Sequence, residues 1–239
     1  MIEPAEINIS IVIPCHPPHI KYLDNTFQDI LKQTVLPLEV ILAISGINID
    51  LAKTLENKFT ELFKDTSCKF KIVHTDKKQY AGTNRNMGGN IANGQYIMFI
   101  DADDILHPRK VEITTHYLNL YNPNILLHGY VKNARPDFLK TCIFDYDHVK
   151  VTPNDIIYRD TFGNPPKKSK KIWHLTINPK NIFTIAHGYA TVKKTIFNKY
   201  KYTNVSYGED SLFVREILWK YGGVIHINIP LIIYLQKRG

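Results

Sequence analysis

Three cysteines, Cys15, Cys68 and Cys142, are too few and too scattered for a disulfide framework. A reducing compartment is the expectation. No Cys/His cluster has zinc-site spacing, and no G-x-G-x-x-G dinucleotide fingerprint is present. The first residues carry Glu3 and Glu6 rather than a basic leader, so a signal peptide is not expected and a cytoplasmic location is. The longest apolar stretch, 224–235, is broken by His226, Asn228 and Pro230 and is too short to span a bilayer. Internal repeats and low-complexity segments are also lacking.

What is present is ordinary globular material. The 239 residues are 44% apolar and 22% charged, enough for one large domain. The net charge of +8 suits an anionic partner: a nucleotide, a nucleic acid or an acidic lipid surface reached peripherally. Solvated surface lysines are the plainer account of the same number.

Apolar patterning alternates between two periods. Residues 7–13, 38–44 and 70–74 are short β-branched or aromatic runs and predict buried strands. Residues 22–32, 51–63 and 83–92 predict the helices between them. Residues 14–18, with three prolines, predict a stiff turn. This alternation predicts an α/β fold with a mixed, mainly parallel sheet flanked by helices. Beyond residue 121 the pattern loosens. A strand is expected over 125–131, an irregular excursion over 133–171, and one strand over 183–192. A helix is expected over 211–221, with Leu212, Phe213, Ile217 and Leu218 on one side. Two closing strands are expected at 224–227 and 231–235. The lysine run 167–171 is either a phosphate contact or a solvated loop tip.

The chemistry gathers at residues 95–104, where an apolar strand ends in Asp101, Asp103 and Asp104. Buried, unpaired carboxylates are costly, so these acids belong at the strand's carboxyl edge, where open α/β sheets bind ligands. Asp101 and Asp103 point the same way in an extended chain, and a cation between them would relieve their repulsion. The competing reading makes Asp103 and Asp104 caps of the helix over 110–121. A second acidic pair, Glu209–Asp210, follows Gly208 at the mouth of the 211–221 helix. It is either a pair of helix-start acids or a loop holder beside a proton acceptor. Arg85 and Asn86 fall on the first turn of the helix before the acidic strand. There Arg85 either grips a ligand phosphate or pairs with Asp101.

This ordered set resembles the family 2 glycosyltransferases. The matching pieces are residues 9–14, Gly82 with Arg85-Asn86-Met87-Gly88, and residues 94–104 with their D-x-D-D ending. They continue with 187–188 through 192–197, Gly208-Glu209-Asp210, and Pro230-Leu231 through Tyr234. The resemblance implies a GT-A fold in one domain over 1–239, with 1–124 binding the nucleotide sugar and 125–239 holding the acceptor and the base. It implies inverting transfer of a sugar from a nucleotide diphosphate sugar to a glycan, lipid or protein acceptor. Asp103, with Asp101, would hold Mn²⁺ or Mg²⁺. Asp210 would be the base and Glu209 its positioning partner. Pro14, Ser45, Arg85, Asp101, Ala102 and Asp103 would line the donor site, and Asp104, His187 and His226 are candidates to complete the metal site. An imidazole on an apolar strand is more often simply packed.

Two departures stand out. The second-strand loop, Ser45-Gly46-Ile47-Asn48, lacks the family's base-reading carboxylate, so UDP is a default. The Q-x-x-R-W motif of processive synthases is absent, which favours single-sugar transfer; nucleic acid is not an expected partner. One alternative, a nucleotidyltransferase, would have a glycine-rich basic loop after the first strand, and 14–18 has no glycine. Another, a non-catalytic carbohydrate- or nucleic-acid-binding module on the same fold, would not need Glu209–Asp210.

Overall fold

The computed structural model describes residues 7–142, 146, 150–156, 170–176, 184–185 and 187–235. In chain order, β1 (Ile9–Cys15) is followed by a 3-10 turn, α1 (Leu23–Leu31), β2 (Glu39–Ser45), α2 (Ile49–Phe63), β3 (Lys69–Thr75), α3 (Ala81–Ile91) and β4 (Tyr96–Phe99). Next come β5 (Ile105–Leu106), α4 (Lys110–Tyr121), β6 (Ile125–Lys132), α5 (Asp137–Thr141), β7 (Lys150–Ile156) and β8 (Lys170–Thr176). The chain continues with β9 (Thr184–Ile185), β10 (Thr191–Lys193), α6 (Lys194–Lys199), α7 (Glu209–Tyr221) and β11 (Val224–Tyr234).

The strands form one mixed sheet in the order β3-β2-β1-β4-β10-β6-β11-β8-β7. β1, β2, β3 and β4 run parallel, β10 is antiparallel to both β4 and β6, and β11 is parallel to β6 and β8. Alternation along β1 sends Ile11 and Ile13 to one face and Val12 to the other. On the first face Phe27 of α1, Phe59 of α2 and Tyr117 of α4 close a core. On the second, Phe197 of α6 and Phe213 and Ile217 of α7 close another. Helices therefore cover both faces, and the carboxyl ends of β1, β2, β3, β4, β6 and β11 share one edge. Among the described residues no helix is long and apolar enough to cross a membrane. Cys15, Cys68 and Cys142 are free thiols.

Several local expectations need correction. Pro14 and Cys15 continue β1 rather than turning, pairing with Ala43 and Ile44 of β2. β4 pairs only as far as Val12, so Pro14 lies where the strand has lost one neighbour and its missing N–H costs little. The excursion over 133–171 contains α5, β7 and the start of β8; β7 and β8 pair antiparallel at the sheet's edge, where Pro153 is tolerated. Residues 167–169 of the lysine run lie outside the described residues, and Lys170 and Lys171 open β8. The strand expected over 183–192 is broken by a 3-10 turn, His187–Tyr189. The two closing strands are one, with register shifts on either side of Pro230 that absorb the proline. The buried face of α7 uses Val214 in place of Leu212.

Candidate active site

The site is built around α3. This helix has little apolar surface of its own and approaches the sheet through glycines: a Cβ at Gly88 would fall 2.5 Å from Val12 of β1. That closeness delivers Arg85, only 3% exposed, to the carboxyl edge of the sheet. Its Nη2 donates to Asp101 Oδ1 at 2.9 Å and its Nη1 to Glu209 Oε1 at 2.7 Å. Burial works against the guanidinium's charge, but Asp101, Tyr202 and Glu209 outweigh it and raise its pKa. Tyr202 lies beneath it, with the guanidinium carbon 5.4 Å from the ring centroid. Asn86 clamps that support: its side-chain amide donates to the Tyr202 carbonyl and accepts from the Tyr202 N–H, both at 2.9 Å.

A cavity of about 810 Å³ opens at this edge. Asp101, Ala102 and Asp103 from the end of β4 line it together with Glu209 and Asp210 from α7. Pro14, Arg85 and Gly188 also contribute. Gly188 belongs to the 3-10 turn, and a Cβ there would fall 3.4 Å from Asp210 Oδ2. Gly208 enters α7 at φ +76, a conformation suited to glycine, which swings the acidic pair into the cavity mouth. Asp210 Oδ1 also accepts from the Ser211 N–H at 2.6 Å, so the acid is oriented by its own helix start.

Charge is concentrated here. Burial, followed by the nearby Asp103 and Asp210, holds the Asp101 carboxyl above its ordinary pKa against the pull of Arg85. A half-buried carboxylate cluster with one guanidinium suits a hard divalent cation, since oxygen ligands match Mg²⁺ or Mn²⁺. Among the described residues no group of three His, Cys, Asp or Glu side chains closes around one point. The fit is that of a cation held by one or two carboxylates, its remaining positions left to ligand and water oxygens.

Asp103 and Asp104 are not caps, because α4 starts at Lys110 behind Arg109. Ser45, Asp104 and His226 do not line the cavity. Ser45 is fully buried, and its hydroxyl accepts from Asn84 Nδ2 at 3.0 Å and from the Gln79 N–H at 3.2 Å. It ties α3 to β2 instead of facing a ligand. Asp104 is 3% exposed and turned under the edge, where neither oxygen meets a donor at full hydrogen-bonding geometry. Burial, ahead of the neighbouring Asp101, pushes its pKa well above the usual carboxylate range. His226 is buried within β11, in register with Leu127 and His174. The His187 side chain lies outside the described residues.

Sequence reasoning missed His19, Tyr130 and Tyr189, which line the cavity together with His16, Lys78, Gln79, Tyr80, Tyr207 and Tyr234. A buried basic pair beside Asp104 was also missed. Lys110, fully enclosed, points its ammonium at His128 Nε2, while His128 Nδ1 lies 2.7 Å from the Gly129 carbonyl. That carbonyl requires Nδ1 to carry the proton, so Nε2 accepts from Lys110. Lysine at a helix start and histidine on a strand give no local signal of this pairing.

The fold and the site together define a doubly covered α/β protein whose ligand crevice carries a carboxylate cluster at the strand ends. The chain belongs to glycosyl transferase family 2, whose sequence profile matches residues 10–221. It is similar to the glycosyltransferase GlyG of Streptococcus pneumoniae, at 22% identity over 97% of this chain and 71% of that protein. It also resembles an uncharacterized glycosyltransferase of Methanocaldococcus jannaschii, at 28% identity over 46% of this chain and 37% of that protein. Among solved structures it resembles S. aureus TarS 1-349 in complex with UDP-GlcNAc, at TM-score 0.66 and 15% identity, covering 98% of this chain. The chain spans 60% of that TarS chain. At that identity the likeness shows the shared fold.

Proposed function

We propose that this chain transfers a single sugar from a nucleotide diphosphate sugar to an acceptor hydroxyl, with inversion at the anomeric carbon. The observation that carries the reading is that Asp103 and Asp210, more than a hundred positions apart in sequence, line one cavity. The UDP-GlcNAc named with the TarS structure makes a UDP-sugar the first donor to try. Asp103, with Asp101, is the holder of a divalent cation. When bound, that ion neutralises charge gathering on the departing diphosphate.

The protein's own residues do the rest. Asp210 accepts the proton of the acceptor hydroxyl as that oxygen bonds to the anomeric carbon. The bond from that carbon to the diphosphate oxygen breaks on the opposite side, and the electron pair leaves with the diphosphate. Glu209, locked to Arg85, keeps the loop from turning away. Asp101, held by the other arm of the same guanidinium, is fixed facing the donor.

The test is release of nucleoside diphosphate from a panel of nucleotide sugars with and without Mn²⁺. Asp103→Ala is expected to abolish metal-dependent donor binding in calorimetry. Asp210→Asn is expected to bind donor normally while losing about 10²–10⁴-fold in transfer rate. Normal turnover by Asp210→Asn would remove it as the base.

A further inference from the structure

We infer that the edge of the sheet opposite the cavity is a docking surface for an anionic lipid bilayer. A lysine cluster around α6 and the end of α7 grips the headgroups, and Ile91, Leu120 and Tyr121 seat among them. The surface is separate from the cavity and does not depend on the transfer reading above.

Topology gathers this surface. α3, α4 and α7 each lead into a strand that starts at the amino edge of the sheet, so their last turns collect there. β10 runs antiparallel to β4 and brings Lys193 and Lys194 to the same edge. Hydrogen bonds join the pieces. Lys193 Nζ donates to Asn122 Oδ1, at the cap of α4, at 2.7 Å. Lys194 Nζ donates to the Gly89 carbonyl of α3 at 2.6 Å. Lys201 Nζ donates to Asn90 Oδ1 at 2.7 Å and stands 3.7 Å from the Phe197 ring centroid. Asn124 Nδ2 donates to the Gly222 carbonyl at 3.0 Å, tying the end of α7 to the start of β6. Beside it, Lys220 Nζ lies 5.2 Å from the Tyr200 centroid and 5.7 Å from that of Tyr221.

Two properties of the surface select its partner. The first is charge. Lys193, Lys194 and Lys201 donate to neutral oxygens and Lys220 lies against aromatic rings, contacts that fix the lysines without neutralising them. Lys199 stands exposed beside them. Burial, with Lys194 close by, lowers the Lys201 pKa to about 8, as expected where ammonium groups crowd. Helix C-termini attract cations, which explains why lysines collect at this end of the molecule. The second property has no such cause. Leu120 is 60% exposed, and Ile91 and Tyr121 are exposed too, at the ends of the two helices that Lys193 and Lys194 touch. Exposed aliphatic side chains and a tyrosine set among lysines make up a membrane-surface contact. The lysines draw anionic headgroups, tyrosine sits at headgroup level and the aliphatic groups reach the acyl boundary. A nucleic acid would answer the lysines alone and gain nothing from Leu120. Docked by this edge, the protein holds its cavity on the side away from the bilayer.

The test is co-sedimentation of the full chain with vesicles of phosphatidylcholine alone and of phosphatidylcholine carrying about 30% phosphatidylglycerol. The mixed vesicles are expected to carry the protein down, the neutral ones to leave it in solution, and added salt to weaken the binding. Lys199→Gln combined with Lys220→Gln is expected to lower the partition about fivefold per lysine. Leu120→Ser is expected to lower it about tenfold. Both variants change exposed side chains, so their melting temperatures should match the wild type and separate lost binding from lost fold. Lys21→Gln combined with Lys77→Gln removes two exposed lysines at the cavity edge and should bind vesicles as the wild type does. Equal binding to neutral and anionic vesicles overturns the proposal. An equal loss in the Lys21 and Lys77 variant also overturns it, by putting the contact at the cavity edge. Vesicle binding that ignores Leu120→Ser, with the Lys199 and Lys220 variant losing a single-stranded oligonucleotide as well as vesicles, assigns the surface to nucleic acid and overturns the lipid reading.

Discussion

Lys110 shows how much one residue's setting can differ from its type. An enclosed ammonium is expensive, and burial lowers its pKa from 10.5 to about 7, against the pull of Asp104. The sign of the pH effect follows from proton counting. Between about pH 7 and the unfolded value the unfolded chain holds a proton that the folded chain has released, so Lys110 makes stability rise with pH there. His128, lowered well below 6.5 by burial and by Lys110, adds the same sign on the acid side. Lys110→Met keeps the volume and removes the titration. Urea unfolding from pH 7 to about 8.5 should show the wild type gaining on the variant by up to about 1.4 kcal/mol per pH unit. Parallel curves would mean that Lys110 is not deprotonated in the fold.

At the scale of elements, α3 is decided by packing against its propensity. Its Gly88–Gly89 pair is poor helix material, and replacing a helical glycine by alanine ordinarily gains up to about 1 kcal/mol. Here a Cβ at Gly89 would fall 2.3 Å from the Phe197 ring, itself fully buried among Phe99 and Phe213. Overpacking of that kind costs about 1–3 kcal/mol and outweighs the gain. Gly89→Ala should therefore lower the melting temperature, and a higher one would show that α3 stands further from α6. The same closeness explains why so weakly amphipathic a helix holds Arg85 in place. The β11 strand carries the matching lesson: Pro230 divides the run in sequence, yet two register shifts let one strand pass through it.

Across the whole molecule, Arg85 is the joint. It spans from α3 to the end of β4 and to α7, bringing Asp101 and Glu209 together from 108 positions apart in the chain (209 minus 101). Breaking a buried pair of this kind costs about 3–5 kcal/mol, because uncompensated charge is left behind. Arg85→Met is expected to lose about 3 kcal/mol of stability by urea unfolding and to lose transfer. Arg85→Lys, which lacks the planar fork, should recover part of the stability and less of the transfer. Equal transfer in the methionine variant would remove Arg85 as the brace of the acidic site.

Much of the architecture was legible because side-chain periodicity is local. β1 through β4, the helices between them and α4 follow runs whose period of two or near 3.6 is written in a few adjacent residues. The acids at the end of β4 were legible for the same reason: an apolar run closing on Asp101 and Asp103 must reach an edge. β5, β9 and the β7–β8 pair were not, being too short or too interrupted to show a period. Nor could neighbouring residues say that Ser45 turns inward, that Asp104 goes under the edge beside Lys110, or that His226 stays inside β11. Those outcomes depend on which strands lie side by side. The amino-acid order by itself settled β1 to β4 with the helices between them, and the family's acidic signature, through interactions spanning a few residues. Only the tertiary structure decided which carboxylates share the cavity with Arg85 and which tyrosines line it, because strand order joins residues that no local pattern links.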